Sequence, residues 1–373
     1  MTREQGPNEI QLRAQSTWEA FCEDLKSAGR QLIRADLPLE PIDAAEGLRY
    51  LSRMVRTGLE RHVESADPAI AHLYPLSDER IKGFGGDNPD TRYFGAALSS
   101  DYTYRLSGDF RSCAHVSLMT TGFDDDGSYR VTGSLDSAAM PDSKTGPVEI
   151  EIGDGVSGDG RAGVSHRLPT TRDTQSLLVR CTFEDMAAKE GLRLALSRTD
   201  PGVAPVACRF DPIAKGLEET ARFVRSTVES CASQSAGLRR RFNELPLQDP
   251  ERIRKAGGDP NVYYYSAAWS VAEDEFLVIE IPTIPECTAW GLQINNLWTE
   301  SLDYTQAPIH INKSTAETTP EGGVTIIVSE HDPGHPNWLR TMGHRSGTAN
   351  LRLMGAKEPV AASLRVVQDA AAV

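Results

Sequence analysis

Phe276-Leu-Val-Ile-Glu-Ile281, Val324-Thr-Ile-Ile-Val-Ser329 and Thr348-Ala-Asn-Leu-Arg-Leu-Met354 decide the fold class of this chain. Each is short, rich in branched apolar residues and bounded by Gly, Pro, Asp or Ser, which is the composition of a buried strand. Residues 289–298 make a fourth such run. No helix-period segment links these runs one to the next, so the βαβ alternation of a Rossmann sheet is absent.

The same pattern extends upstream over 102–106, 114–118, 128–132, 148–152 and 176–183. Many short strands at roughly ten-residue spacing predict a sandwich or jelly roll. Gly153-Asp-Gly-Val-Ser-Gly-Asp-Gly160 has the look of one calcium-binding repeat, but it lacks a second copy and reads as a hairpin loop. Residues 11–80 read as helical, with Trp18, Phe21, Leu25, Ala28 and Leu32 at helical spacing, then Leu48, Leu51, Val55 and Leu59. Asp211-Pro212 reads as a helix start, with Asp as N-cap, before the stripe Leu217, Ala221, Val224, Val228 and Cys231. The expected class is α+β, mostly β. It comprises an N-terminal helical region at 1–80, a first β-rich domain at 81–210, a connecting helix and linker at 211–258, and a C-terminal β domain at 259–373. Both β domains are expected to be jelly-roll or sandwich-like.

The length of 373 residues favours more than one core, and a hydrophobic content of 39% is enough to build them. The net charge of −14 argues against a nucleic-acid footprint and against an anionic membrane surface. The six cysteines form no CxxC pair, the N-terminus has no apolar signal core, and no long apolar run exists. A cytoplasmic protein with reduced thiols is the expectation, as a possible homo-oligomer. No phosphate loop, dinucleotide glycine motif or Gly-x-Ser-x-Gly elbow is present, and no cofactor is expected.

Four of the eight histidines (His310, His331, His335, His344) and three of the five tryptophans (Trp290, Trp298, Trp338) fall between 290 and 344. Clustering of scarce residue types marks a candidate small-molecule pocket. On an unbroken strand, Trp290, Leu292, Ile294, Asn296 and Trp298 share one face, so Asn296 either orients a ligand or ties down a loop. His331 is the candidate general acid or base, with Tyr304 or Glu300 as its partner. His310, Asp332, Trp338, His344 and Arg345 complete the candidate ligand contacts. Asp332-Pro-Gly334 also has the chemistry of a plain turn. His331 and His335 have metal-ligand spacing for a helix, but Pro333, Gly334 and Pro336 forbid one, so no metal is expected. A second cluster, Asp87, Asn88, Arg92, Tyr93, Tyr102, Tyr104 and Arg105, reads as packing or as part of a ligand site between domains.

Several of these marks resemble the bacterial domain-of-unknown-function 1214 family. They are residues 290–298, Gly322-Gly-Val-Thr-Ile-Ile-Val-Ser329, Asp332-Pro333, Asn337-Trp-Leu339, Gly343 and Leu351-Arg-Leu353. The resemblance covers about residues 262–360, and Asp173 to Arg180 looks like the segment that precedes the domain in relatives. It implies a jelly-roll-like domain beside a second β-rich one and implies no activity. The chain departs from the family's frequent Asn-Trp-Leu-Pro-(Ala/Thr)-Pro ending, because Arg340-Thr-Met342 follows Leu339. The residues themselves leave three functions open. One is an acid–base lyase, isomerase or hydrolase acting on a small, largely apolar molecule. Another is a non-catalytic module for a small ligand or carbohydrate. The third is a structural or assembly protein.

Overall fold

The strand Ala289–Asn295 has two faces of opposite character. Trp290, Leu292 and Ile294 enter an apolar core, whereas Gly291 and Gln293 face residues from a distant part of the chain. Burying both faces, one apolar and one polar, is the organising feature of the molecule. The computed structural model describes residues 7–34, 36–124, 129–154, 163–200 and 207–369. The glycine-rich segment read as a hairpin at 153–160 lies for the most part outside them.

The chain opens with helices α1 (Pro7–Arg30) and α2 (Pro41–Leu59), and one π turn, Glu60–Glu64, extends α2. Then come β1 (Tyr74–Ser77), β2 (Thr91–Ala97), β3 (Tyr104–Asp109), β4 (His115–Phe123) and β5 (Tyr129–Asp136). β6 (Val148–Gly153), β7 (His166–Pro169), β8 (Ser176–Thr182) and β9 (Arg193–Arg198) complete the first set. Helices α3 (Phe210–Leu238) and α4 (Pro250–Lys255) lead to β10 (Val262–Ser270), β11 (Phe276–Ile281), β12 (Ala289–Asn295) and β13 (His310–Asn312). β14 (Val324–Ser329), β15 (Trp338–Arg340), β16 (Ser346–Met354) and β17 (Ser363–Val367) end the fold. It is α+β and mostly β. Among the described residues no helix is long and apolar enough to cross a membrane.

Two expectations shift. Residues 65–80 are not helical, and β1 lies among them. α3 begins at Phe210 with Arg209 as its N-cap, so Asp211 and Pro212 sit inside the first turn, where an acid favours the positive end of the helix dipole.

Sheets β1-β2-β8-β4-β5 and β7-β6-β3-β9 enclose one core, which includes Leu106, Leu118, Ile150 and Val179. Sheets β10-β16-β12-β13 and β15-β14-β11-β17 enclose the other, around Trp269, Ile279, Leu292 and Leu351. The two sandwiches repeat one topology strand for strand. Leaving β1 aside, adding eight to each strand number of the first pair of sheets generates the second pair. The parallel pairings β6–β7 and β14–β15 recur at equivalent positions. Residue traces of the repeat survive. Gly85-Gly-Asp87 precedes β2 and Gly257-Gly-Asp259 precedes β10, one residue out of step, since the strand register sets Gly86 against Gly257 and Asn88 against Asp259. Tyr93 lies across from Arg180, as Tyr264 lies across from Arg352.

A third core belongs to the helices. Tyr50, Met54, Val224, Val228 and Ala232 surround Leu297 and Trp298, which leave the end of β12 and enter the helical layer. The Trp298 indole donates to the Asp43 carbonyl at 2.8 Å and stacks on Tyr50. Cys231 Sγ and Ser235 Oγ bond the carbonyls of Trp298 and Leu297 at 3.0 and 2.5 Å. Gly47 makes room for the ring, since a Cβ there would stand 2.7 Å from it.

Gly47→Ala should therefore destabilise the chain by about 1–3 kcal/mol through overpacking, despite the better helix propensity of Ala. Gly29→Ala, whose Cβ would meet only Leu51 at 3.4 Å, should be neutral or stabilising by up to ~1 kcal/mol. Urea unfolding of both variants checks the contrast. Equal midpoints would remove Trp298 as the constraint.

Candidate functional site

The polar outer face of β2, β8 and β4 meets the polar outer face of β10, β16, β12 and β13. The joint has pseudo-two-fold character, as expected when two copies of one fold pack through the same surface. Arg352 Nη2 donates to the Gly86 carbonyl at 2.5 Å, and Arg180 donates to the Gly257 carbonyl in the mirrored position. Asn312 Nδ2 donates to Asp90 at 2.9 Å, and Asn261 Nδ2 donates to Asp136 at 2.7 Å. These shared contacts give the Gly86 and Gly257 carbonyls and the Asp90 and Asp136 carboxylates a donor each.

The two ends differ in what else they hold. At the Asp87–Asp90 end, Asp87 accepts from Ser301 N at 2.8 Å and from Ser301 Oγ at 2.6 Å. Lys82 Nζ bonds Ser301 Oγ at 2.6 Å and the Ser301 carbonyl. It also lies 5.5 Å over the Tyr304 ring. His310 meets the edge of Tyr304, and its Nε2 lies 3.2 Å from Asp90 Oδ1. Its Nδ1 is buried without a partner. Gly291 permits this approach, because a Cβ there would stand 3.1 Å from Asp90 Oδ2. On the helical side Arg53 pairs with Glu300 at 2.6 Å, leaving Glu300 Oε1 buried and unpartnered. Arg56 Nη2 caps the Lys82 carbonyl at 3.2 Å.

Burial pushes the Glu300 carboxyl up to about 7; Asp87 adds to the shift, and Arg53 and Lys82 oppose it. Burial and the surrounding carboxylates of Asp87, Glu79, Asp78 and Asp303 raise the Tyr304 phenol, so it remains a hydrogen-bond donor. Among the described residues no group of three or more His, Cys, Asp and Glu is arranged to hold a metal ion.

Of the residues singled out in the sequence, the structure brings together Asp87, Glu300, Tyr304 and His310. It separates the other candidate catalytic and ligand-binding residues. Trp290 is buried inside the second sandwich and Trp298 inside the helical layer, so they line no common wall. The strand ends at Asn295, which breaks the alternation read through Trp298. Asn296 instead caps the turn, accepting from the backbone N–H groups of Trp298 and Glu300 at 2.9 and 3.1 Å. His331 and Asp332 are exposed, and Asp332 accepts from Gly334 N as a turn residue. The pairing of His331 with Tyr304 or Glu300 is absent, since Arg53 takes Glu300 and His310 takes Tyr304. Trp338 bonds Ser329 Oγ, His344 joins Glu46 on α2 at 3.0 Å, and Arg345 is exposed. A recess lined by Pro282, Pro285, Pro359 and Val360 contains none of the predicted residues.

Arg53, Lys82 and Asp90 escaped the sequence reading. Arg49, Arg53 and Arg56 recur at helical spacing on α2 in an acidic chain, and the repeated Gly-Gly-Asp marked the loop that carries Asp87 and Asp90. Both signals were present.

The structure is similar to the crystal structure of an uncharacterised protein from Burkholderia cenocepacia, with a TM-score of 0.90 and 40% identity over 98% of this chain and 99% of that one. It shares its fold with the VPA0106 protein of Vibrio parahaemolyticus, at TM-score 0.53 and 11% identity over 85% of this chain and 97% of that one. No family model matches the chain, and no curated protein matches it in sequence.

The raised Glu300 carboxyl has a consequence for stability. Between its ordinary 4.5 and about 7 the folded chain binds a proton that the unfolded chain has released. Stability contributed by Glu300 is therefore greatest below that window, falls as pH rises through it, and levels off above it. The expected loss is on the order of 3 kcal/mol. Glu300→Gln should flatten this part of the profile, as measured by denaturant unfolding at successive pH values. An unchanged slope would show that Glu300 ionises normally.

Proposed function

The chain belongs to one family with the uncharacterised Burkholderia cenocepacia protein, and on that premise we propose that it is an acid–base enzyme working at the joint between its two sandwiches. The observation that carries this reading is His310: its Nε2 stands 3.2 Å from Asp90 Oδ1 while its Nδ1 has no partner. A carboxylate accepts, so Asp90 at this distance favours the tautomer with its proton on Nε2 and leaves the Nδ1 lone pair to take a proton. Tyr304 supplies a neutral hydroxyl that can donate to a developing oxyanion. Glu300, with a carboxyl poised near neutrality, can take up or release a proton beside Arg53.

The substrate class follows from the surroundings. The tryptophan wall that suggested an apolar ligand is gone, and Arg49, Arg53 and Arg56 border the cluster on α2. A small polar molecule with a carbonyl or carboxylate oxygen suits this chemistry, and lyase or isomerase proton transfer beside that oxygen is the reaction class. His310 keeps 19% of its side-chain exposure, and Tyr304 beside it stands on the largely exposed loop 303–308.

The first test needs no substrate. Nitrogen NMR of His310 should report a neutral ring protonated at Nε2, and a ring protonated at Nδ1 would overturn the assignment. The second screens small carbonyl and carboxylate compounds for turnover by the full chain. His310→Gln should then lower turnover by roughly 10²–10⁴-fold while binding persists. Full turnover of that variant from about pH 5 to about pH 9 would rule out His310 as the base. Binding without any turnover would make the protein a ligand-binding module instead.

A further inference from the structure

The opposite end of the joint holds Ser137, His115 and Asp259. Ser137 Oγ lies 3.4 Å from His115 Nδ1, and His115 Nε2 lies 3.4 Å from Asp259 Oδ2. Ser137 and His115 belong to the first sandwich and Asp259 to the second, so the row exists only when the sandwiches are docked. The arginine–carbonyl and Asn–Asp bonds recur at both ends of the joint. A Ser-His-Asp row has no counterpart at the Asp87 end, where Asn88 stands at the position of Asp259 and Ala289 at that of His115. Docking alone therefore does not account for it.

We infer that Ser137, His115 and Asp259 form a second reactive centre, with Ser137 as nucleophile toward small uncharged carboxylic esters. Asp259 is 3% exposed and accepts from the Asn261 backbone N–H at 2.9 Å through Oδ1, which leaves Oδ2 for His115. Burial pushes its carboxyl up, but His115, Arg180 and Ser117 more than offset this and hold it at about 2. As an obligate acceptor it fixes the His115 proton on Nε2, so Nδ1 is the base that faces Ser137. Ser137 Oγ accepts from the Val116 N–H at 3.3 Å, which directs its own proton toward His115. The turn that carries Ser137 is pinned by Asp136, whose Oδ1 takes the N–H groups of Ala138 and Ala139 while Asn261 holds Oδ2. Distances of this length are usual for a nucleophile and its base before substrate binds. Ser137 is half-buried and so open to solvent, whereas His115 and Asp259 are shielded. Asp136 and Asp259 make the place unfavourable for an anionic ester.

In the first step Ser137 Oγ bonds to the acyl carbon and passes its proton to His115 Nδ1. The ester C–O bond then breaks, and the alcohol leaves with that proton. Water attacks the acyl-serine, again through His115, and releases the carboxylic acid with Ser137 restored. No oxidant, reductant or further co-reactant enters.

The experiment treats the full chain with a fluorophosphonate and maps the modified residue by peptide mass spectrometry. Phosphonylation of Ser137 with loss of fluoride is expected. It should be abolished by Ser137→Ala and slowed roughly 10²–10⁴-fold by Asp259→Asn. Because Asp259→Asn also touches the joint, Ser137→Cys provides the second reading. Its thiol should react with iodoacetamide near neutral pH about tenfold faster than the exposed Cys208 of the same chain, since an adjacent imidazole raises thiolate content. No label at Ser137, or labelling indifferent to Asp259→Asn, would overturn the proposal. So would an alkylation rate at position 137 no faster than at Cys208.

Discussion

The insertion of Trp298 into the helical layer is the contact on which the rest depends. The residue leaves the second sandwich at the end of β12, yet its indole is buried among α2 and α3 and bonds the Asp43 carbonyl. That single side chain fixes where the helices lie against the sheets. It also fixes the turn from Asn296 to Glu300, because Thr299 is held at φ 60, a conformation that costs a β-branched residue on the order of 1–3 kcal/mol. The Asn296 amide and the Thr299 carbonyl bond to Gly86 N hold the turn in that shape. Glu300 and Ser301 follow directly, so their approach to Arg53, Lys82 and Asp87 is set by the same anchor.

A second constraint acts across the joint. Strand alternation sends one face of each sheet into its own sandwich and the other toward the partner sandwich, and in both sheets many of the outward residues are polar, among them Ser117, Arg180, Gln293 and Arg352. Removing so many polar groups from water is unfavourable unless each finds a partner. The arginine–carbonyl and Asn–Asp bonds supply those partners, and Gly291 supplies the close approach. Such a joint is specific because its hydrogen bonds are directional, and a shift of one residue along any strand would break several at once.

Much of the architecture was legible beforehand. β11 and β14 coincide with the runs at 276–281 and 324–329, and β3, β4, β5, β6, β8, β12 and β16 differ from their expected limits by a few residues, whereas the remaining strands had no run assigned to them. The class could be read because buried strands carry a strong local signal. The internal repeat could not be read from periodicity. Its surviving marks, Gly-Gly-Asp and one Tyr–Arg cross-strand pair, are few and separated by long insertions. The site was half visible. Glu300, Tyr304 and His310 stood in the right stretch, but His331 was preferred because a histidine beside an aspartate in a loop looks reactive. What decided between the histidines was the partner each one meets, and Asp90 is more than two hundred residues away from His310 in sequence. The tryptophan wall failed for a local reason: the strand stops at Asn295, and alternation says nothing beyond a strand's end.

The distribution of the two Asn–Asp pairs bears on which surfaces can associate. Both acids, Asp90 and Asp136, belong to the first sandwich, and both amides, Asn261 and Asn312, belong to the second. Were two first sandwiches from different molecules to dock through the same surface, Asp90 would be set against Asp136 at each end, a repulsive arrangement. Two second sandwiches would bring amide to amide, with neither charge nor repulsion to guide them. Only the mixed pairing found within one chain gives each carboxylate a donor. Acids sorted onto one sandwich and amides onto the other make each selective for the opposite sandwich over a second copy of itself.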